Sequence, residues 1–284
     1  RRRPRYRGTH PRRFEDKYKE LAPDQHPDLV AHVRARGKTP AGQHVPILVD
    51  EVLSALAPKP GDRGVDATLG WGGHAERMLA MLAPGGRLLG LDADPLELPR
   101  AEARLRRRGF DETALVVRRT NFAGLAAAVD DVGWRKDEDD GVDFILADLG
   151  VCSMQIDDPA RGFSFKLDGP LDMRMNPKRG QSAADWLGRA SVEAVAAVLA
   201  ANADEPAALA IATALDARRG TVTTTRALAS AVRGALHERV SAEHADATVR
   251  RVFQAIRIEV NDEFGTLDAF LRQVPGCLRR GGRV

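Results

Sequence analysis

The chain has 284 residues, of which 43% are hydrophobic, 29% charged and 5% aromatic, enough apolar content to bury a core and too much for wholesale disorder. Its longest purely apolar run, Ala194–Ala201, falls far short of the roughly 20 residues a bilayer-spanning helix needs, so no membrane partner is expected. Two cysteines, Cys152 and Cys277, cannot build a disulfide framework or a four-thiolate zinc site. With no charged-then-apolar leader in view, they point to a reduced, cytoplasmic protein without a metal.

The net charge of +3 hides an asymmetry. Residues 1–40 hold twelve Lys/Arg against five Asp/Glu, net +7, which leaves 31 against 35, net −4, for the rest. An arm such as Arg1-Arg2-Arg3-Pro4-Arg5-Tyr6-Arg7 suits a tether for phosphate backbones, and equally a solvated tail. No Met opens the chain, and Arg279–Val284 reads as a turn into a further strand. Both ends are therefore expected to be incomplete.

Regular structure begins at His44–Leu53. Arg63–Thr68 predicts a first strand, running through Leu69-Gly70-Trp71-Gly72-Gly73 into a helix from His74 to about Leu82. Arg87–Leu91 predicts a second strand ending at Asp92, with a helix over Pro95–Arg108. Leu115–Arg118 predicts a third, followed by Asn121-Phe122 and an Ala-rich helix to about Val129. Val142–Ala147 predicts a fourth, ending at Asp148-Leu149-Gly150. Strands alternating with helices at this spacing imply an α/β fold with a doubly wound, mostly parallel sheet. Ligands of such sheets bind outside the carboxyl ends of the strands, where Asp66, Asp92 and Asp148 all fall. Residues 182–240 are Ala-rich with no strand pattern and read as an inserted helical subdomain. One amphipathic helix over about Ala247–Phe264 then returns the chain to the sheet.

Gly70-Trp71-Gly72-Gly73-His74 lies between a strand and a helix, where glycines allow close backbone approach and the helix N-terminus offers N–H groups. With Ala75 it also satisfies the dinucleotide pattern, and Asp92 stands where a ribose-binding acid would, so a nicotinamide oxidoreductase competes. Asp66 tilts the choice: a carboxylate before the glycines repels a pyrophosphate but attracts the ammonium group of S-adenosylmethionine. The polar loop Asp148–Ser153 beside the presumed reaction centre tilts it the same way. His74 reads as a helix cap or a backbone contact to the cofactor. Trp71 reads as packing or recognition, and Phe122 as an adenine face or core.

The segment Asp148-Leu149-Gly150-Val151-Cys152-Ser153-Met154-Gln155-Ile156-Asp157-Asp158-Pro159-Ala160-Arg161-Gly162-Phe163-Ser164-Phe165 carries a resemblance. With Gly169–Asn176, His44–Leu48, Asp66–His74 and Phe253–Glu263, it resembles the ribosomal RNA small-subunit methyltransferase H family over roughly residues 44–284. These are long, ordered motifs. The resemblance implies a class I, Rossmann-like methyltransferase that uses S-adenosylmethionine to methylate N4 of a cytidine in 16S rRNA, in the decoding centre of the small ribosomal subunit. It implies cofactor contacts from Gly72, Gly73, His74, Asp92, Phe122, Asp148 and Gln155, the last on the family pattern alone. Departures are Trp71, Cys152, the Asn202-Ala203-Asp204-Glu205-Pro206 stretch, and a missing His-Ser-Leu-Glu-Asp-Arg type segment after Val284. The expected organisation is a basic arm (1–43), a discontinuous methyltransferase domain (44–158 and 248–284) and an inserted substrate-recognition subdomain (159–247).

Methyl transfer from a sulfonium leaves the protein chiefly to position the nucleophile. Because the N4 lone pair of cytosine is delocalised into the ring, an acceptor for its proton is needed; Asp148 is the candidate, assisted by the carbonyls of Leu149–Val151. Phe163 or Phe165 would supply a stacking face, or else pack in the core. Arg161, Arg174 and Lys178, with Arg257 behind them, would meet phosphates, although Asp172 and Arg174 could instead form a plain ion pair. A non-catalytic RNA-binding module is the remaining alternative. Oligomeric state stays open, a homodimer being one option.

Overall fold

The apolar runs of three strands are buried on both faces, as a parallel sheet flanked by crossover helices demands, while the third predicted strand lies at the sheet edge and is only partly buried. The computed structural model describes residues 46–135, 140–236 and 240–284, and the basic arm lies outside the described residues. The chain divides into two units, Arg1–Val49 and Asp50–Val284; the sheet and the site belong wholly to the second.

After helix α1 (Val49–Leu56), the order is β1 (Arg63–Asp66), α2 (Gly73–Leu82), β2 (Arg87–Asp92), α3 (Glu97–Arg107), β3 (Leu115–Arg119), a short 3₁₀ turn (Phe122–Gly124), α4 (Leu125–Asp131) and β4 (Val142–Leu146). The strands line up as β3-β2-β1-β4-β5, every pairing parallel. Alternate residues face opposite layers: Leu88, Leu115 and Phe144 pack with α2 and α3, while Val65, Leu89, Leu91 and Ile145 pack with α4 and Phe270 and Val274. Each fully buried side chain of this kind contributes on the order of 1.5–3 kcal/mol. At Gly64 the approach is so close that a Cβ would fall 2.1 Å from Cζ of Phe144.

Beyond β4 come α5 (Ser153–Asp157), a 3₁₀ turn (Pro159–Arg161), α6 (Ala183–Arg189), α7 (Val192–Ala203), α8 (Ala208–Asp216), α9 (Thr225–Ala235) and α10 (Ala242–Asn261). Helices α6, α7, α9 and α10 begin at Ser182, Ser191, Thr224 and Ser241, whose side chains each accept a first-turn N–H, the expected chemistry at a helix start. These helices share a core including Leu199, Ile211, Leu228, Val249 and Phe253.

Two expectations change. The single helix over 247–264 is two helices, because Asp262 adopts a left-handed conformation (φ 47°, ψ 50°) that ends α10 and starts α11 (Glu263–Cys277). The final residues are a strand, not a turn into one. β5 (Leu278–Arg283) pairs with β4 at Val142–Leu278 and Phe144–Arg283, with a register slip between. Its sequence Leu-Arg-Arg-Gly-Gly-Arg lacks the β-branched residues that mark strands.

Candidate active site

Since β2, β1 and β4 are neighbours, their carboxyl ends set Asp92, Asp66 and Asp148 along one rim. Asp66 ends β1, is 1% exposed, and accepts the Thr68 N–H at 3.1 Å. Burial, only partly offset by that N–H and reinforced by the charges of Asp92 and Asp148, pushes its pKa up to about 7. Asp92 ends β2. Its Oδ1 accepts the Asp94 N–H and its Oδ2 the Gly70 N–H, both at 2.8 Å, which ties the carboxylate to the glycine loop. Burial raises its pKa despite those two bonds. Asp148 lies just past β4; its N–H donates to Thr68 Oγ1 at 2.7 Å. Its carboxylate is 47% exposed and lies 3.7 Å from His74 Nδ1.

The sign of the Asp66 shift gives a prediction. A buried carboxyl with a raised pKa holds its proton longer in the folded state, so its stabilising contribution is complete below pH 3.8 and is lost as pH rises through about 7. Stability of the ligand-free protein should therefore fall over this window, and Asp66→Asn should flatten the fall. Equal slopes for the two proteins in chemical denaturation would refute it.

Gly72 caps α2 in a left-handed conformation (φ 80°) without a side-chain hydrogen bond, so no capping side chain satisfies the first-turn N–H groups of the helix. Even a Cβ there would lie 3.0 Å from Leu105 Cδ1. Arg104 secures the loop, donating to the carbonyls of Trp71 (3.0 Å) and Gly72 (2.8 Å). Its guanidinium also covers the Trp71 ring at 5.6 Å, so Trp71 is packed rather than presented. His74 is buried at the start of α2. Half-buried Phe122 makes an edge contact with Phe270 at 5.5 Å.

A buried network escaped the sequence reading. Asp94, fully buried, accepts from Gln155 Nε2 at 2.8 Å, Arg161 Nη1 at 2.6 Å and the Leu96 N–H at 2.8 Å. Burial alone would raise its pKa, but the bonds from Gln155, Arg161 and Leu96 bring it below the ordinary carboxylate value. Gln155 Oε1 accepts the Cys152 N–H at 3.1 Å. Arg161 Nη2 donates to the carbonyls of Arg174 and Met175. One carboxylate thus ties the loop after β2 to α5 and, through Arg161, to the chain at 174–175.

That network locates the predicted substrate residues. Arg161 is buried and engaged by Asp94 and two carbonyls, so it stands as a strut behind the site. Phe163 lies beneath the Arg161 guanidinium at 5.7 Å and packs on the helical core, and Phe165 meets Phe253 at 5.5 Å there. Arg174 forms the ion pair with Asp172, through Nε at 2.8 Å and Nη2 at 2.7 Å, yet still lines the cleft. The Cys152 thiol is half-buried, and burial pushes its pKa up to about 11, so it is no ready nucleophile.

The cleft, about 600 Å³, opens beyond the carboxyl ends of β2, β3 and β4. Ala93, Pro95, Asn121 and Phe122 line it on the β2–β3 side, Leu149 and Gly150 at the β4 loop, and Ile258 and Phe264 at the junction of α10 and α11. Arg119, Lys178 and Arg179 border it as exposed cations. Arg257, also on its wall, is held by Glu263 at 2.7 Å. No cluster of three or more His, Cys, Asp or Glu suited to a metal occurs among the described residues.

An open parallel sheet with a glycine loop, a rim of carboxylates and a cleft at its strand ends is a Rossmann-like fold, and the family match makes it that of a methyltransferase. The model of the MraW methylase family matches residues 41–284, and the chain belongs to that family. It is 45% identical over 289 residues to ribosomal RNA small subunit methyltransferase H 1 of Lachnoclostridium phytofermentans, covering 100% of this chain and 77% of that one. The namesake of Agathobacter rectalis is 44% identical, with 100% and 81% covered. Ribosomal RNA small subunit methyltransferase H of Burkholderia vietnamiensis is 42% identical over 248 residues, with 85% and 75% covered.

Proposed function

We propose that the chain transfers a methyl group from S-adenosylmethionine to the N4 amine of a cytidine in 16S rRNA of the small ribosomal subunit, in the cytoplasm. The observation that carries the reading is the meeting of two features at the same strand ends. One is a rim of three carboxylates under a glycine loop; the other is a cleft edged by Arg119, Lys178 and Arg179.

The residues present suit this cofactor. The charges of Asp92 and Asp148 add to the cost of ionising buried Asp66, and a ligand bearing a sulfonium and an ammonium relieves it, whereas a pyrophosphate would add to it. That contrast disfavours the nicotinamide alternative. The cofactor would supply the activated methyl group. Gly72, Gly73 and His74 would hold its amino-acid end, Asp92 its ribose hydroxyls and Phe122 its adenine, while Gln155 would steady the ribose side through Asp94. Asp148, the exposed carboxylate of the rim, would accept the proton of the reacting amine, which raises electron density at N4 as the bond forms.

The cytosine must leave any stack to reach this rim, which favours unpaired or flippable RNA. Arg119, Lys178 and Arg179, with Arg174, would bind phosphates. Residues 159–247 form the substrate-recognition subdomain in this reading, inserted between the methyltransferase segments 44–158 and 248–284. Incubating the protein with methyl-labelled cofactor and small ribosomal subunits lacking the modification should place label in cytidine of 16S rRNA. Label absent from every nucleoside, or binding of NAD in place of S-adenosylhomocysteine, would overturn the reading.

A further inference from the structure

We propose that Phe264 is a stacking platform for an unpaired RNA base flanking the target cytidine; this rests on the reading of the cleft as an RNA site. Phe264 is 59% exposed, a costly placement for a large aromatic in a chain with few of them. The exposure is built in. Asp262 breaks the helix in a left-handed conformation, and a Cβ at Gly265 would fall 2.5 Å from an Asp262 carboxylate oxygen, so the tight junction turns Phe264 onto the cleft wall.

The same junction is tied to the basic side of the cleft. Asn261 donates to the Met173 carbonyl at 2.8 Å and accepts the Met175 N–H at 2.7 Å. It thereby fixes the helix break against the chain that leads to exposed Lys178 and Arg179. An aromatic face and two cations on one frame suit a single-stranded nucleic acid, whose bases stack while its phosphates meet the cations. The charge selects the occupant: an apolar peptide would gain nothing from Lys178, Arg179 and Arg119. The other cleft aromatic, Phe122, packs against Phe270 just past the β3 end, on the cofactor's side in the proposed reading, and Phe163 and Phe165 are partly buried and packed against the helical core. Phe264 therefore supplies the face that the β4 loop, Asp148-Leu149-Gly150-Val151, does not.

The test is steady-state methylation of unmodified small ribosomal subunits by the full chain, with S-adenosylhomocysteine affinity measured in parallel. Loss of base–aromatic stacking corresponds to roughly 5- to 150-fold weaker binding. Phe264→Ala should raise KM for subunits within that range and leave S-adenosylhomocysteine affinity unchanged. Phe264→Leu, apolar but without a π face, should behave like Ala, and Phe264→Trp should restore KM. An unchanged KM in Phe264→Ala, or wild-type behaviour in Phe264→Leu, would overturn the stacking role. A Lys178→Glu, Arg179→Glu double variant separates the two readings. If it raises KM while Phe264→Ala does not, only the platform fails; if neither moves KM, the RNA reading of the cleft fails with it.

Discussion

Asp94→Ala is expected to destabilise the protein by about 3–5 kcal/mol, the range for removing one partner of a buried ion pair. Arg161 would keep its charge with only 5% of its surface exposed, facing two carbonyls but no carboxylate. In a domain of this size such a loss lowers Tm by roughly 6–20 °C. The pair itself need not stabilise the fold, since burying both charges carries its own desolvation cost. An Asp94→Ala, Arg161→Met double variant should therefore recover much of the loss, a strongly non-additive cycle. The pH dependence has a definite sign. Because its folded pKa is depressed, the contribution of Asp94 is present above the ordinary carboxylate range and is lost as pH falls through the lowered value. The gap between wild type and Asp94→Asn should accordingly close toward acid pH. A single variant within about 1 kcal/mol of wild type would show that the strut carries little, against the penalty expected for an orphaned buried charge.

The Asp94 network also shows where a sequence stops being readable. Strands β1, β2 and β4 stand out because burial on both faces enforces apolar runs, and the rim follows from the parallel order alone: three acids at three strand ends must lie near one another. Gly72 is legible for a similar local reason, a turn between strand and helix. Arg161 was different. A cation in a polar segment looks like a phosphate ligand, and nothing local reveals that a carboxylate 67 positions earlier waits for it in the core. Asp94 was hidden by Asp92, the more obvious acid two residues before it. The two-helix return was missed because the break at Asp262 depends on one residue accepting a left-handed conformation, which Asp tolerates without announcing it. Phe264 then fell inside a supposed continuous helix, where its exposure could not be foreseen. β5 hid behind an Arg- and Gly-rich composition that pairing with β4 overrides, as tertiary context does with strand propensity.

Asp148→Asn should lower kcat by roughly 10²- to 10⁴-fold, the usual contribution of a positioned proton acceptor. Of the three rim carboxylates, Asp66 is buried with a pKa near 7, and both oxygens of Asp92 already accept backbone N–H groups. Asp148 alone keeps a half-exposed carboxylate, placed by the bond from its own N–H to Thr68 and near His74. Asn preserves the size and one acceptor oxygen but puts an NH₂ donor where a second acceptor is needed. The amine then meets a donor, and no group takes its proton as the methyl arrives. KM for the RNA should change little, because the interaction strengthens only as charge develops at N4. A Thr68→Val variant, which leaves the Asp148 N–H without its acceptor, should lower kcat less and in the same direction. If Asp148→Asn instead raised the Kd for S-adenosylhomocysteine while kcat at saturating cofactor stayed near wild type, Asp148 would be a cofactor ligand alone, and the proton acceptor would have to be sought among the carbonyls of Leu149–Val151.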